Sequence, residues 1–344
     1  MKVTIKDVAD LAGVSFKTVS RVINKEPTVG ADLQKKVHEA IKALDYQPNL
    51  SARGLRGAPA SVAFIYDNPN SNYVIELQKG IVRECHRQSY ELVVHPGDSR
   101  ADGICEELLQ TVRRSGVGGL VLTPPLSEMP DVVACLLGAN VPFVRVISGT
   151  EEPDDLGPCV FIDDRTAARN IVDHLIGLGH RKIAFLGGDQ EHLSTGERLE
   201  GYKETLTRSN IPIDDSLILE GHYSFESGVE RTQTMLDLKT KPTAVFACND
   251  EIAAGVLFAA RMSGIDVPGE LSIAGFEDSP FSRQTWPKLT TARQPNETIG
   301  ERATELLITK IRNERRNKSD VVEKIESVGF VPELVVRDST SPRR

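Results

Sequence analysis

Residues 15–24 read Ser15-Phe16-Lys17-Thr18-Val19-Ser20-Arg21-Val22-Ile23-Asn24. On a helix Lys17 and Arg21, four apart, share one face, with Phe16 beside Lys17 at the start. A helix that enters the major groove of duplex DNA leads with its first residues. There Lys or Arg donates to guanine O6 and N7, and Phe packs on a thymine methyl. Thr18, Ser20 and Asn24 bring short donors suited to phosphate oxygens, which position without specifying. Ser15, able to cap the helix, is counted with them. The same spacing also fits a small solvated bundle whose charges do nothing, and these residues alone leave that alternative open.

No second chemistry is declared. The chain has no G-x-G-x-x-G, no P-loop, no G-x-S-x-G and no paired histidines at metal spacing among its seven. Gly187-Gly188-Asp189 is too slight a signal for phosphate binding. Catalytic residues, metals and cofactors are therefore assigned to none. Cys85, Cys105, Cys135, Cys159 and Cys248 lie far apart and form no C-x-x-C pair. They are expected as buried thiols in a reducing compartment.

The elements that would position the first group are short. Thr4 with Asp7 resembles a capping box opening a helix over 5–12. Gly13 supplies the positive φ of a tight turn. Ser15 caps a second helix over 16–23, and a third over 31–44 buries Leu33, Val37, Ala40, Ile41 and Leu44. Helix, tight turn, helix and a bracing third helix make a helix-turn-helix arrangement. Tyr46-Gln47-Pro48-Asn49 stops it. The piece Leu50–Arg56 carries a glycine and meets another at Gly57, each costing about 1 kcal/mol against alanine, so it is expected to be helical only when something holds it.

At 344 residues the chain exceeds one core. From Ser61 onward, apolar runs at 62–66, 92–95, 119–122, 143–147, 183–186, 244–247 and 273–276 alternate with helical stretches. Parallel sheets covered by helices follow, split by the irregular stretch 148–158 into two doubly wound lobes that face each other across a cleft. The net charge of −8 divides into +4 for residues 1–57 and −12 for the rest. A basic head on an acidic body suits a module that meets phosphates while the body stays off them. No apolar run is long enough to span a membrane, and no apolar signal core opens the chain, so a cytoplasmic location is expected.

Thr4–Ala9, Ala12-Gly13-Val14-Ser15, Thr18–Asn24 and Tyr46–Asn49 together resemble the N-terminal signature of the lactose/galactose-repressor family. The remainder resembles that family's sensor in length and lobe pattern, so the resemblance covers essentially the whole chain. It implies a small all-α helix-turn-helix head (1–45), a hinge helix and linker (46–60), and an α/β effector-binding and dimerisation domain (61–338), periplasmic-binding-protein-like. The lobes are expected over about 61–160 with 292–322 and 161–291 with 323–338, leaving 339–344 as a tail. The resemblance further implies that Asn49, Ala52 and Leu55 belong to a hinge that enters the minor groove, Leu55 as an apolar wedge. In the sensor, Arg198 with Gly201-Tyr202 resembles the family's R-x-x-G-aromatic motif, and Asn249-Asp250 its strand-end pair. Asp164, Tyr223, Asn72 and Tyr73 match further pocket positions; Asp163 and Asn296 are weaker candidates. Gly275-Phe276-Glu277-Asp278 departs from G-[FY]-D-D, since Glu277 stands where Asp is usual. Val29-Gly30-Ala31 departs where the family has Ser and then Thr-Arg, so a weaker third-helix cap is expected.

This set implies a transcription regulator, most simply a repressor, on palindromic double-stranded DNA, controlled by a small polar effector. Carboxylates, amides and aromatics suit a saccharide; a nucleobase or other metabolite, and co-repression rather than induction, stay open. The absence of leucine heptads after Asp338 points to a homodimer. An enzyme and a stand-alone solute-binding protein are the rivals. The missing catalytic motifs weigh against the first, the attached head against the second.

Overall fold

The computed structural model describes residues 4–23, 29–44, 61–67, 71–149, 156–239, 241–315 and 325–343. They fall into two units, Met1–Ala60 and Ser61–Arg344.

In the first unit, α1 (Ile5–Ala12), α2 (Phe16–Ile23) and α3 (Ala31–Ala43) pack around Val8, Ala9, Val19, Val22, Val37 and Ala40. Asp7 N donates to Thr4 Oγ1 at 3.5 Å and Thr4 N to Asp7 Oδ2 at 2.7 Å, a reciprocal box that satisfies two amides. Gly13 turns the chain at φ 66°. Gly30 caps α3 with no side-chain bond, and Gln34 Nε2 ties the turn instead by donating to Val29 O. Leu33, expected inside, is 40% exposed, because it sits in the first turn of α3 outside the packed cluster. The expected linker and hinge helix (46–60) lie outside the described residues.

The second unit opens with β1 (Ser61–Tyr66), α4 (Asn72–Gln88), β2 (Glu91–Pro96), α5 (Ile104–Ser115), β3 (Leu120–Leu122), α6 (Pro130–Gly138), β4 (Phe143–Ser148) and β5 (Cys159–Ile162). It continues through α7 (Asp164–Gly177), β6 (Ile183–Leu186), α8 (Leu193–Arg208), β7 (Ile218–Leu219), α9 (Phe225–Leu236), β8 (Ala244–Ala247), α10 (Asp250–Met262) and β9 (Ser272–Glu277). Last come α11 (Pro280–Gln284), β10 (Thr290–Arg293), α12 (Asn296–Arg315), β11 (Val328–Phe330) and β12 (Glu333–Val335).

Two six-stranded sheets result, ordered β11-β5-β4-β3-β1-β2 and β12-β10-β9-β8-β6-β7. Among the described residues all strand pairings are parallel except β12 on β10. Both faces of the first sheet are covered. Leu77 and Ile81 of α4 with Leu307 and Ile311 of α12 pack on Val62 and Phe64, while Leu108 of α5 and Leu136 of α6 pack on Ala63 and Ile65. The second sheet is sealed by α7, α8 and α10 around Phe185, Phe246 and Phe276. Such double winding is why the strands read as continuous apolar runs.

The lobe limits shift from the expected ones. β5 reaches Ile162 and β10 reaches Arg293, so the crossings fall two residues later. Val328–Phe330 pairs with β5, placing that strand in the first lobe rather than the second. Residues 339–343 are no loose tail: Ser339 is fully buried, its hydroxyl donating to Ile273 O and its carbonyl accepting from Ile273 N. The five cysteines are not all free thiols. Cys105 on α5 and Cys135 on α6 form a disulfide across neighbouring helices, with Cα atoms 6.2 Å apart, while Cys85, Cys159 and Cys248 are free and buried. Among the described residues no helix is long and apolar enough to cross a membrane.

Candidate functional site

Every strand of the two lobes that runs into the interlobe cleft does so by its carboxyl end, as open α/β sheets require of a ligand site. The cleft encloses about 410 Å³, within the usual range for small-molecule sites. Asn72, Tyr73, Asp164, Arg198, Tyr223, Asn249 and Glu277, the seven residues singled out from the sequence, all line it. Asp163 and Asn296 do not. Asp163 caps α7 by accepting from Thr166 N at 2.8 Å, and Asn296 begins α12.

Arg198 is 4% exposed, not a surface charge. Its Nε donates to Asp164 Oδ1 at 2.8 Å, its Nη1 to Cys248 O at 2.5 Å, and its guanidinium lies 3.7 Å over the Phe276 ring. Gly201 and Tyr202 put it there. A Cβ on Gly201 would stand 2.4 Å from Arg165 O, so only glycine lets α8 lie this close to α7. Tyr202 anchors the same helix by donating to Ile183 O at 2.8 Å. Burial raises the Asp164 pKa, and Arg198 opposes that rise. Ser148 Oγ donates to Asp164 Oδ2 at 2.6 Å from the other lobe.

Tyr223 stands over Gly188, where a Cβ would come within 2.3 Å of its ring. The slight Gly-Gly-Asp signal therefore makes room for an aromatic wall. Asp189 fixes that wall, accepting from Tyr223 N at 3.1 Å, and His192 meets the ring edge-on at 5.5 Å. The Tyr223 hydroxyl bonds Thr195 Oγ1 at 2.8 Å. Asn249 caps α10, its Oδ1 accepting from Ile252 N at 2.8 Å. Its carbonyl is thus spent on the helix, leaving the amide NH₂ as the group that could meet a ligand. Asp250 is fully buried and structural, accepting from Thr291 Oγ1 and Ser279 N, and burial pushes its carboxyl up to about 7.

Glu277 ends β9 at φ 99°, a left-handed conformation that costs a non-glycine residue about 1–3 kcal/mol. Burial pushes its carboxyl up to about 8, with Arg198 opposing and Asp250, Glu251 and Asp164 adding to the rise. At neutral pH it is held mostly as the uncharged acid.

Contacts between the lobes escaped sequence reasoning. Glu128 accepts from Ser148 N at 2.9 Å in its own lobe and from Leu193 N at 3.2 Å at the start of α8 in the other. Arg100 donates to Glu191 Oε2 at 3.3 Å across the rim. Such cross-lobe pairs have no periodic signature in a chain. Among the described residues no three His, Cys, Asp or Glu side chains are grouped to hold a metal.

In the head, Val19 and Val22 turn inward while Phe16, Lys17 and Arg21 are exposed, Phe16 at 47%. Ser15 caps α2 by accepting from Thr18 N at 3.1 Å, and the two hydroxyls are 2.9 Å apart. Ser20 is half-buried. Asn24, Asn49, Ala52 and Leu55 lie outside the described residues.

Residues 4–49 match the family described as bacterial regulatory proteins, lacI family, and residues 172–340 match the periplasmic binding protein-like domain. Catabolite control protein A of Priestia megaterium is 35% identical over 332 residues, covering 96% of this chain and 98% of that protein. Two solved structures superpose over the chain, each at a TM-score of 0.73 and 28% identity. One is the lac repressor dimer bound to operator and the anti-inducer ONPF, covering 99% and 100% of the two chains. The other is the transcriptional regulator CelR–cellobiose complex, covering 98% and 99%.

Proposed function

This chain belongs to the lacI family of bacterial regulatory proteins and is a DNA-binding transcription regulator, and we propose from that premise that an uncharged saccharide in the interlobe cleft sets its grip on DNA. One observation carries the ligand class. Besides Glu277, held as the uncharged acid, the cleft is lined by six carboxyl groups against the guanidiniums of Arg100 and Arg198, and Arg198 is already engaged by Asp164. A phosphorylated or otherwise anionic effector meets repulsion there, whereas hydroxyls both donate to carboxylates and accept from the Asn249 amide. Tyr223 and Tyr73 supply rings for a sugar face. The likeness to a cellobiose-bound regulator supports the same class.

The protein acts as a homodimer on a palindromic operator. The α2 helices enter successive major grooves, with Lys17 and Arg21 reading bases and Phe16 packing on a methyl. Ser15, Thr18, Ser20 and Asn24 hold the backbone, and Asn49, Ala52 and Leu55 engage the minor groove between the half-sites. The likeness to an operator-bound repressor dimer supports this arrangement. Effector binding changes the lobe angle, and it shifts DNA affinity only by its unequal affinity for the two arrangements. Release of repression is the expected direction.

Gel retardation on operator fragments, with and without sugars shown by calorimetry to bind, tests this reading. A bound saccharide is expected to weaken operator affinity by about 5–150-fold. Calorimetric binding of nucleobases or phosphorylated metabolites, with no heat from any neutral sugar, would overturn the ligand class and leave the DNA-binding role intact.

A further inference from the structure

Two segments of the first lobe reach across to the second. Arg100, in the loop after β2, donates from Nε to Glu191 Oε2 at 3.3 Å, and its Nη2 lies 3.8 Å from Asp189. Glu128 closes the short turn Leu126–Glu128 after β3. It accepts from Leu193 N at 3.2 Å across the gap and from Ser148 N at 2.9 Å in its own lobe. Each segment runs into a helix, α5 beginning at Ile104 and α6 at Pro130. The two are packed together at their roots. Ile104 and Leu126, both buried, meet over Gly97, where a Cβ would stand 3.2 and 3.1 Å from their methyl groups. In so close a packing, a shift at one helix start reaches the other.

The same two helices are joined covalently. Cys105, the second residue of α5, is bonded to Cys135 in the last turn of α6, 30 positions along the chain. Both are half-buried, whereas Cys85, Cys159 and Cys248 are buried. Packing already holds the helices side by side, since Leu108 of α5 and Leu136 of α6 share one apolar cluster. The bond is therefore added to a packed pair, where a small reagent can reach it. A protein that binds DNA works in a compartment that keeps thiols reduced, and disulfides found there are usually transient or redox-sensing.

We propose that Cys105 and Cys135 form a reversible redox site, whose disulfide pins the Arg100 and Glu128 segments in their cross-lobe contacts and thereby sets the grip on DNA. The co-reactant is a low-molecular-weight disulfide such as oxidised glutathione. One cysteine thiolate attacks a sulfur of that disulfide, forming a mixed disulfide and expelling one glutathione thiolate. The other cysteine thiolate attacks the protein sulfur of the mixed bond and expels the second. The protein gives up two electrons and two thiol protons, and the two glutathiones leave as thiols. Reduced glutathione reverses both steps.

This rests on the proposal above that the lobe arrangement sets DNA affinity, and the measurements keep the two apart. Full-length protein is equilibrated with oxidised or reduced glutathione, and its free thiols are counted by alkylation and mass spectrometry. Hydrogen exchange then reads the Leu193 amide, and gel retardation reads affinity for a duplex selected from random sequences. Reduced glutathione is expected to open the bond and to speed exchange at Leu193 by at least about tenfold. Duplex affinity is expected to change by at least about fivefold. Cys105→Ser and Cys135→Ser should each behave as the reduced protein under both conditions. Glu128→Ala, which removes the acceptor for Leu193 N, should bring the oxidised and reduced forms to one duplex affinity.

A bond that reduced glutathione leaves closed, or equal Leu193 exchange in the two forms, overturns the redox site and leaves the lobe coupling standing. An affinity gap that survives Glu128→Ala overturns it as well, because the bond would then act through some other contact. Faster exchange with unchanged duplex affinity overturns both.

Discussion

Replacing Glu277 by glutamine should stabilise the folded protein, and increasingly so as the pH rises. The folded chain holds the Glu277 proton to about 8, whereas the ordinary side chain gives it up near 4.5. Between those values the native state binds more protons than the unfolded one, so stability falls with rising pH across that window. Each pH decade is worth about 1.4 kcal/mol, and the whole span about 4–5 kcal/mol. Glu277 is half-buried, and contact with cleft water lowers this to about 2 kcal/mol. Glutamine keeps the shape and cannot ionise. The gain is therefore near zero at pH 5 and about 2 kcal/mol at pH 8. Urea unfolding at both pH values, followed by emission of the single tryptophan, Trp286, measures it. A gain of equal size at pH 5 and pH 8, or a loss at pH 8, would show that the carboxyl is not held uncharged and would refute the reasoning.

Lys17→Ala or Arg21→Ala should relax base preference by about 1–3 kcal/mol at one operator position; an unchanged ratio between native and scrambled operators would remove that residue from base reading. Arg198→Ala leaves Asp164 buried without its cation, a loss of about 3–5 kcal/mol. Retardation assays below its melting temperature should still find operator binding but no response to effector, and a normal response would take Arg198 out of the site. Gly201→Ala drives a methyl into the backbone of α7, and about 1–3 kcal/mol of stability should go with it. If thermal melts of that variant match the parent, α8 does not need the close approach that seats Arg198.

The helices and apolar strands were legible because their signals are local. α1 and α2 begin and end where Thr4, Gly13 and Ser15 put them, and Ile183–Leu186 and Ala244–Ala247 are read to the residue. What escaped depends on partners distant in the chain. β10, Thr290–Arg293, has one apolar residue in four, and its buried threonines are acceptable because Asp250 takes the hydroxyl of Thr291 and Thr340 that of Thr290. No window of the sequence contains that bond. α6 is short and apolar on most sides, so it carries little helical period, and Val328–Phe330 has a glycine at its centre. Both are fixed only by the sheet they cover or extend.

The same division runs through the site. Arg198, Asn249 and Tyr223 were found through motifs, yet their roles were set by neighbours the motifs do not name. The motif marks Asn249 as a strand-end amide, but α10 needs an N-cap and takes its carbonyl. Glu277 is the sharper case. An acid one methylene longer than the usual aspartate suggests a longer reach for a negative charge. In the folded protein its surroundings work against that charge instead: burial does most of it, Asp250, Glu251 and Asp164 add to it, and Arg198 only partly opposes it. A carboxyl in that position serves as a hydrogen-bond donor at neutral pH, and an effector whose acceptor meets it need carry no positive charge. The departure at position 277 therefore changes the kind of hydrogen bond offered, from accepting to donating, more than it changes the distance.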